Sequence, residues 1–251
     1  MTFDRVIAVR NTKTVYRNGE ICIKVFNEGF KKSEILSEAQ NLAMMEETGM
    51  SVPELIDVKK IEDKWAITTR YVKGKTLAMK MKESPEEIDD YIDRFTDIHM
   101  DIITRKCKYL DRLTDKLNTK ICDSRLAATE RYDLHARLYD MTQRDNICHG
   151  DFNPTNVIVS EDGTVYIVDW SRVCRGNMLA DIANTYVEFM VDMDEETAEK
   201  YVATMCDKLN IKREKIDKWI PIIAVSNSVG ANRERRTKLM NIYKQSSQNV
   251  E

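Results

Sequence analysis

At 251 residues, 42% of them hydrophobic and 32% charged, the chain is long enough for one large domain or two lobes with a good core, and too apolar for wholesale disorder. A net charge of −3 argues against nucleic acid as the main partner. The longest apolar run, Trp219 to Val225, is far short of a membrane span, and the opening M-T-F-D-R-V carries no cationic and apolar leader, so a cytoplasmic protein is expected.

The charge is uneven. Residues 1–82 hold 15 Lys and Arg against 11 Asp and Glu, and the remainder 24 against 31, so a part at +4 precedes one at −7. The basic part suits a triphosphate. The acidic part is compatible with a cationic acceptor, and equally with solvated helix faces. Six cysteines (22, 107, 122, 148, 174 and 206) are scattered without a C-x-x-C and read as reduced, mostly buried thiols. His99, His135 and His149 do not fall into metal-ligand spacing, so a zinc site is not expected.

In chain order, Val6 to Val9, Thr14 to Arg17 and Ile21 to Phe26 are short β-prone runs, with Asn18-Gly19 a hairpin turn. Alternation in the third run puts Ile21, Ile23 and Val25 on one face and Cys22, Lys24 and Phe26 on the other. Lys24 then sits beside apolar neighbours; taken alone it is as readily an edge or surface lysine. From Lys32 to Thr48 the pattern is helical, with Ile35, Leu36, Ala39, Leu42 and Ala43 in an apolar stripe and Gly49 ending it. Glu38 falls on the border of that stripe and is the candidate partner of Lys24, with Glu34 one turn earlier as its competitor. Strands at Leu55 to Ile61 and Trp65 to Val72 follow, and Gly74 marks a break that divides the chain into 1–72 and 73–251. Gly74-Lys75-Thr76 is not a P-loop, because the motif needs glycine at position 69, which is Thr69.

Beyond Thr76 the chain reads as helical apart from one hairpin. Ser84-Pro85-Glu86-Glu87 is a capping box opening a helix to about Thr104, in which His99 reads as a satisfied core histidine. Helices are expected at about 110–121, 126–141, 194–209 and 213–243, and one begins at Asp181 and runs through about Met190. Between them, the runs Val157 to Ser160 and Val165 to Val168 flank Asp162-Gly163, a two-residue hairpin turn. That register opposes Val157 to Val168 and Asn156 to Asp169, with Cβ atoms about 5 Å apart. An amide oxygen and a carboxylate then meet at the open end, where hard oxygen ligands suit Mg²⁺. Asp151 leads the preceding loop, and D-x-x-x-x-N from Asp151 to Asn156 has the spacing of a phosphotransferase catalytic loop.

H-G-D-F-N-P-T-N, then I-V-D-W and G-N-M-L-A-D-I-A, resembles the aminoglycoside phosphotransferase family, relatives of choline kinases with a protein-kinase-like fold. The resemblance runs from about Tyr16 to about Trp219. It implies an α+β bilobal fold: a small antiparallel-sheet N-lobe with one helix, over 1–72, binds nucleotide, and a larger, mainly helical C-lobe, over 73–251, carries the catalytic hairpin and binds the acceptor. It further implies that Asp151 is the catalytic base, that Asn156 and Asp169 hold Mg²⁺, and that Asp181 braces the catalytic loop. Lys24 would contact the α and β phosphates with Glu38 orienting it, and Thr69 and Tyr71 would contact the nucleotide at the break before Gly74. The implied activity is transfer of the γ-phosphoryl of ATP or GTP to a hydroxyl of a small molecule, aminoglycoside-, choline- or sugar-like. The alternative is a nucleotide-binding pseudokinase. One departure from the family is that the turn Arg10 to Thr14 has no glycine, whereas kinase phosphate loops use glycine to bring backbone amides close to phosphate; Asn11, Thr12 and Lys13 are the donors left there.

Overall fold

The strands are β1 (Arg5–Val9), β2 (Lys13–Asn18), β3 (Ile21–Phe26), β4 (Leu55–Ile61), β5 (Lys64–Arg70), β6 (Gly74–Thr76), β7 (Asn146–Cys148), β8 (Val157–Ser160), β9 (Val165–Ile167) and β10 (Cys174–Gly176). The helices are α1 (Lys32–Glu47), α2 (Leu77–Glu83), α3 (Ile88–Thr104), α4 (Leu113–Cys122), α5 (Ala128–Asp140), α6 (Met178–Asp192), α7 (Glu195–Leu209), α8 (Glu214–Asp217), α9 (Ile220–Ser228) and α10 (Arg233–Gln248). The structure is a computed structural model and describes residues 4–10 and 12–248; Asn11, one of the expected donors, lies outside the described residues. Contacts divide the chain into two compact units, residues 1–83 with 154–172, and residues 84–153 with 173–251.

In the first unit β1 to β5 form one antiparallel sheet, ordered β1-β2-β3-β5-β4. The loop between β2 and β3 is Gly19-Glu20, one residue later than expected, with Asn18 still paired to Ile21. α1 lays Ile35 and Ala39 on Phe26 and Ile67 of the sheet, and Leu55, Val58 and Trp65 close the cluster. Burial of this stripe holds the helix against the sheet, at roughly 1.5–3 kcal/mol for each large apolar side chain.

A second sheet, β6-β8-β9, completes the unit. β6 is a strand where a break before the helical region was expected. Its first residue must be glycine, because a Cβ at Gly74 would stand 2.3 Å from the carbonyl oxygen of Val159 on β8. The β8–β9 register also corrects the sequence reading. Val157 pairs with Ile167 and Val159 with Val165, so the loop holds three residues and Asn156 faces Val168 instead of Asp169. The cause lies in the turn: Gly163 adopts φ +86, its N–H donates to the Ser160 carbonyl at 3.0 Å, and the Ser160 N–H donates to the Thr164 carbonyl at 2.9 Å. Asp162 accepts from the Thr164 N–H, stabilising a turn followed by a left-handed glycine, which is the three-residue hairpin solution.

The second unit is built round α3, α6, α7 and α9. The side chain of Phe95 stacks on Phe152 with ring centroids 4.4 Å apart and meets Phe189 and Tyr201. Residues 180–189 of α6 are all buried, so this helix is the spine of the unit. β7 and β10 form a short antiparallel pair beside it, again where no strand was expected, and bring the buried Cys148 opposite Cys174. All six cysteines are free thiols, but Cys122 is exposed and three others are only partly covered, so the expectation of mostly buried thiols is too strong.

Two helix readings need correction. Pro85 to Glu87 is a 3₁₀ turn and the Ser84 side chain caps nothing; the Glu87 N–H donates to the Ser84 carbonyl, closing a tighter turn than a capping box allows. The single helix expected over 213–243 is three, α8, α9 and α10, interrupted where Pro221 must begin a helix and where Gly230 takes φ +83. Among the described residues no helix is long and apolar enough to cross a membrane.

Candidate active site

In the first unit a cluster of four charges forms around Asp169. Strand alternation turns Lys24 of β3 to the face that carries Phe26, and α1 packs on that face, so Glu38 comes within reach and its Oε1 accepts from Lys24 Nζ at 2.5 Å. The competitor Glu34 is spent elsewhere, accepting the Lys31 N–H at the start of α1 at 2.8 Å. Lys24 also donates to Asp169 Oδ1 at 3.2 Å, and Lys13 of β2 donates to both Asp169 oxygens at 3.1 and 2.9 Å. Asp169 follows β9 with φ +66, a left-handed conformation that aspartate tolerates better than most residues. Burial pushes the Asp169 carboxyl up, but Lys24 and Lys13 outweigh it and hold the group well below the usual carboxylate range. Burial likewise pulls Lys24 down, and Asp169 and Glu38 more than reverse it.

Asn156 ends a short turn, Pro154–Asn156, and is 8% exposed. Its carbonyl accepts the Val168 N–H at 2.9 Å, so despite the shifted register Asn156 and Asp169 stay at the same end of the hairpin. Lys13 is the residue that sequence reading missed as a member of this cluster. The signal was only that it stands in the glycine-free turn; its convergence on Asp169, 156 positions later, is tertiary.

Thr69 is opposite Cys22 in the β3–β5 ladder, on the face of Lys24 and two residues along from it. Tyr71 follows β5; its N–H donates to the Glu20 carbonyl at 2.9 Å and its ring lies under the Arg17 guanidinium at 4.3 Å. Tyr71 also lines a cavity of about 470 Å³ with Arg70, Lys73, Ser160 and Asp162. That cavity lies at the turn end of the hairpin, the opposite end from Asn156 and Asp169, so it is not the place of the charge cluster.

Asp151 belongs to the second unit, in a loop held by its backbone. Its N–H donates to His149 Nδ1 at 3.2 Å and its carbonyl accepts from Asn153 at 3.0 Å, while the Phe152 carbonyl accepts from Thr185 of α6 at 2.9 Å. Asp181 anchors the start of this loop, taking the N–H groups of His149 and Gly150 at 2.8 and 2.9 Å. His99 Nε2 lies 3.1 Å from the same carboxylate, and its Nδ1 lies 2.6 Å from the Tyr201 hydroxyl. The pattern fits a ring that donates at Nε2 and accepts from Tyr201 at Nδ1. Burial pushes the Asp181 carboxyl up, and the His99 and backbone donors more than offset it, so the net shift is downward. His99 is a satisfied core histidine as read, and its partner is the loop anchor.

The acidic stretch is largely consumed internally. Glu188, 5% exposed, and Asp192 both pair with Arg235, and Asn227 donates to Glu188 at 3.0 Å. Asp194 caps α7, accepting the Thr197 N–H at 2.7 Å.

A carboxylate with an amide neighbour at one hairpin end, and a lysine held by a helix glutamate, fit Mg²⁺ with phosphates: the donors are hard oxygens, and two ammonium groups already stand at the carboxylate where a divalent cation would. Among the described residues no group of three His, Cys, Asp or Glu is placed to hold a metal by itself. The remaining ligands would come from phosphate, as is usual for Mg²⁺.

An antiparallel sheet with one helix, followed by a helical region, is the protein-kinase-like architecture of small-molecule kinases, and solved structures carry it. Choline kinase LicA from Streptococcus pneumoniae is similar with a TM-score of 0.65 and 16% identity, over 100% of this chain and 93% of that one. A choline/ethanolamine kinase family protein from Mesorhizobium loti gives 0.64 and 15%, over 100% and 88%. A thermostable mutant of aminoglycoside phosphotransferase APH(4)-Ia, in ternary complex with ADP and hygromycin B, gives 0.69 and 12%, over 98% and 92%. At these identities the likeness is one of fold. No curated protein matches the chain. The profile of the phosphotransferase enzyme family (APH) matches residues 8–215, and the chain belongs to that family. It is accordingly a phosphotransferase enzyme.

Proposed function

We propose that the chain moves the γ-phosphoryl of ATP or GTP to a hydroxyl of a small molecule, with residues 1–72 as the nucleotide-binding part and 73–251 as the catalytic and acceptor-binding part. The observation that carries this is the Asp169 cluster: one carboxylate between Lys13 and Lys24, with Lys24 oriented by Glu38. Such chemistry needs positioning and charge neutralisation more than covalent catalysis.

In this reading Lys24 neutralises phosphate oxygens, and Lys13 does so in place of the amides of a glycine-rich loop. Asn156 and Asp169 hold Mg²⁺, which when bound neutralises phosphate charge. Thr69 and Tyr71 lie along the stretch that meets the nucleotide. There the N–H groups of Arg70 and Tyr71 are already bonded to Glu54 and Glu20, and Val72 and Lys73 are the next donors along the chain. Asp151 accepts the proton of the acceptor hydroxyl as the new O–P bond forms and the nucleoside diphosphate leaves. Asp181 keeps that loop in place. LicA has been solved with AMP and APH(4)-Ia with ADP and hygromycin B, which supports a nucleotide and a small substrate here. Since Glu188 and Asp192 are spent on Arg235, the acceptor class stays open among aminoglycoside-, choline- and sugar-like alcohols.

Radiolabelled ATP and GTP incubated with a panel of amino and sugar alcohols tests the reading. Transfer to one of them is expected, and Asp151→Asn should abolish it while nucleotide binding persists. Surviving turnover in that variant would refute the base assignment. Nucleotide binding without transfer to any acceptor would favour a pseudokinase, the reading to which the glycine-free turn points.

A further inference from the structure

The second unit holds a cavity of about 600 Å³ that neither the catalytic loop nor the acidic stretch explains. Its volume is that of small-ligand pockets. Four cations line it, Lys106, Arg144, Lys215 and Lys218, against one carboxylate, Asp140. In a chain of net charge −3 this is a local excess of +3, and it is assembled from three separate stretches of sequence, so it is not the solvated face of one helix.

Several other long cations of this unit find acids. Lys200 pairs with Asp89, Lys208 with Asp93 and Asp97, Arg213 with Glu199 and Asp217, and Arg235 with Glu188 and Asp192. None of the four cavity cations makes a side-chain ion pair or hydrogen bond among the described residues, although acids adjoin them in sequence. Asp145, next to Arg144, is drawn away to Arg175 at 2.5 Å, and Asp217, between Lys215 and Lys218, to Arg213 at 2.6 Å. Like charges brought together without counter-charges cost stability, and an anion from outside offsets that cost. The cavity wall also includes Asn177 and Leu179, at the positive end of α6, which favours the same sign of ligand, and Met178 and Ile211 give it an apolar side.

We propose that this cavity binds a small phosphorylated molecule, at a site separate from the loop of Asp151. The placement gives the ligand a route to that loop. Asn146 lines the cavity and begins β7, which runs directly into His149 and Gly150, while Asp181, which holds both of their N–H groups, lies in the first turn of α6 beside the other wall.

Inorganic pyrophosphate is the probe, titrated by calorimetry into the full chain. Wild type and Lys24→Met should bind it equally at the cavity. Lys215→Glu with Lys218→Glu should weaken that binding at least tenfold with a melting temperature no lower than that of wild type, since both side chains are exposed and like-charge repulsion is relieved. If the glutamates disturb folding, Lys215→Gln with Lys218→Gln serves, with a smaller loss expected. In wild type, slower amide exchange at His149 and Gly150 with pyrophosphate bound is the expected sign of the route to the loop. No binding by wild type, equal binding by the double variant, or loss of all binding in Lys24→Met would each overturn the proposal. Tighter binding of a hexaglutamate peptide than of pyrophosphate would overturn it in favour of an acidic protein segment.

Discussion

Two aspartates, Asp169 in the first unit and Asp181 in the second, are held in opposite ways. Asp181 is 1% exposed and its partners are two backbone N–H groups and a histidine ring pinned by Tyr201, none of which can leave without unfolding something. Asp169 is 22% exposed, and its main partners are the ammonium ends of two long, flexible side chains. Both carboxyls are shifted downward, yet one is held by backbone and a buried ring and the other by the ends of long side chains. The contrast separates a residue that shapes a loop from one that, in the proposed function, trades its lysine partners for Mg²⁺.

The largest effect should follow from breaking the Asp181 anchor. Asp181→Ala strands the buried His149 N–H, the partly buried Gly150 N–H and the His99 ring, and a stability loss of about 3–5 kcal/mol is expected, with transfer lost as well. Denaturant melts measure it; a variant as stable as wild type would erase the distinction between the two sites. Asp169→Asn should cost far less, about 1 kcal/mol, because Lys24 keeps Glu38 and Lys13 can turn to solvent. What it should lose is Mg²⁺-dependent nucleotide binding, and unchanged Mg²⁺ titrations would remove Asp169 from the metal site.

The pH dependence sharpens the same comparison. Asp169 has a folded pKa below its unfolded value of about 4, so its contribution is complete above that value and fades as pH falls through it towards the folded pKa. Lys24 is shifted the other way, so its contribution is complete below about 10.4 and is lost only at more alkaline pH. The stability difference between wild type and Asp169→Asn should therefore be flat from about pH 5 to 9 and shrink below pH 4. A difference that changed sign near neutrality would mean that another group governs the cluster.

What could be read from sequence follows the range of the interactions. The Lys24–Glu38 pair was legible in part: strand alternation and helical periodicity brought Glu38 towards Lys24 but left Glu34 as a competitor, and the family resemblance favoured Glu38. The hairpin was legible as a hairpin, but not its register, since Asp-Gly serves both a two-residue loop and the three-residue loop that Ser160, Asp162 and Gly163 select. β6 was missed because a three-residue strand has no period, and its glycine signals a close approach only once Val159 is known to lie beside it. His99 was recognisable as a buried ring, whereas its link to the loop anchor depends on where α3 and α6 meet.

Lys13 gives the smallest effect and the finest test. In the proposed function it competes with a divalent cation for Asp169 in the resting chain and turns to phosphate in the complex, so Lys13→Met should act in opposite directions on two measurements. Removing an ammonium that contacts phosphate weakens ATP binding by about tenfold, or about 1.4 kcal/mol. Removing a competitor at Asp169 lowers the Mg²⁺ concentration needed for half-maximal nucleotide binding. Lys13→Arg keeps the charge and should restore most of the ATP affinity. A merely structural lysine would shift both measurements together through stability, so opposite shifts mark Asp169 as the site whose partners are exchanged.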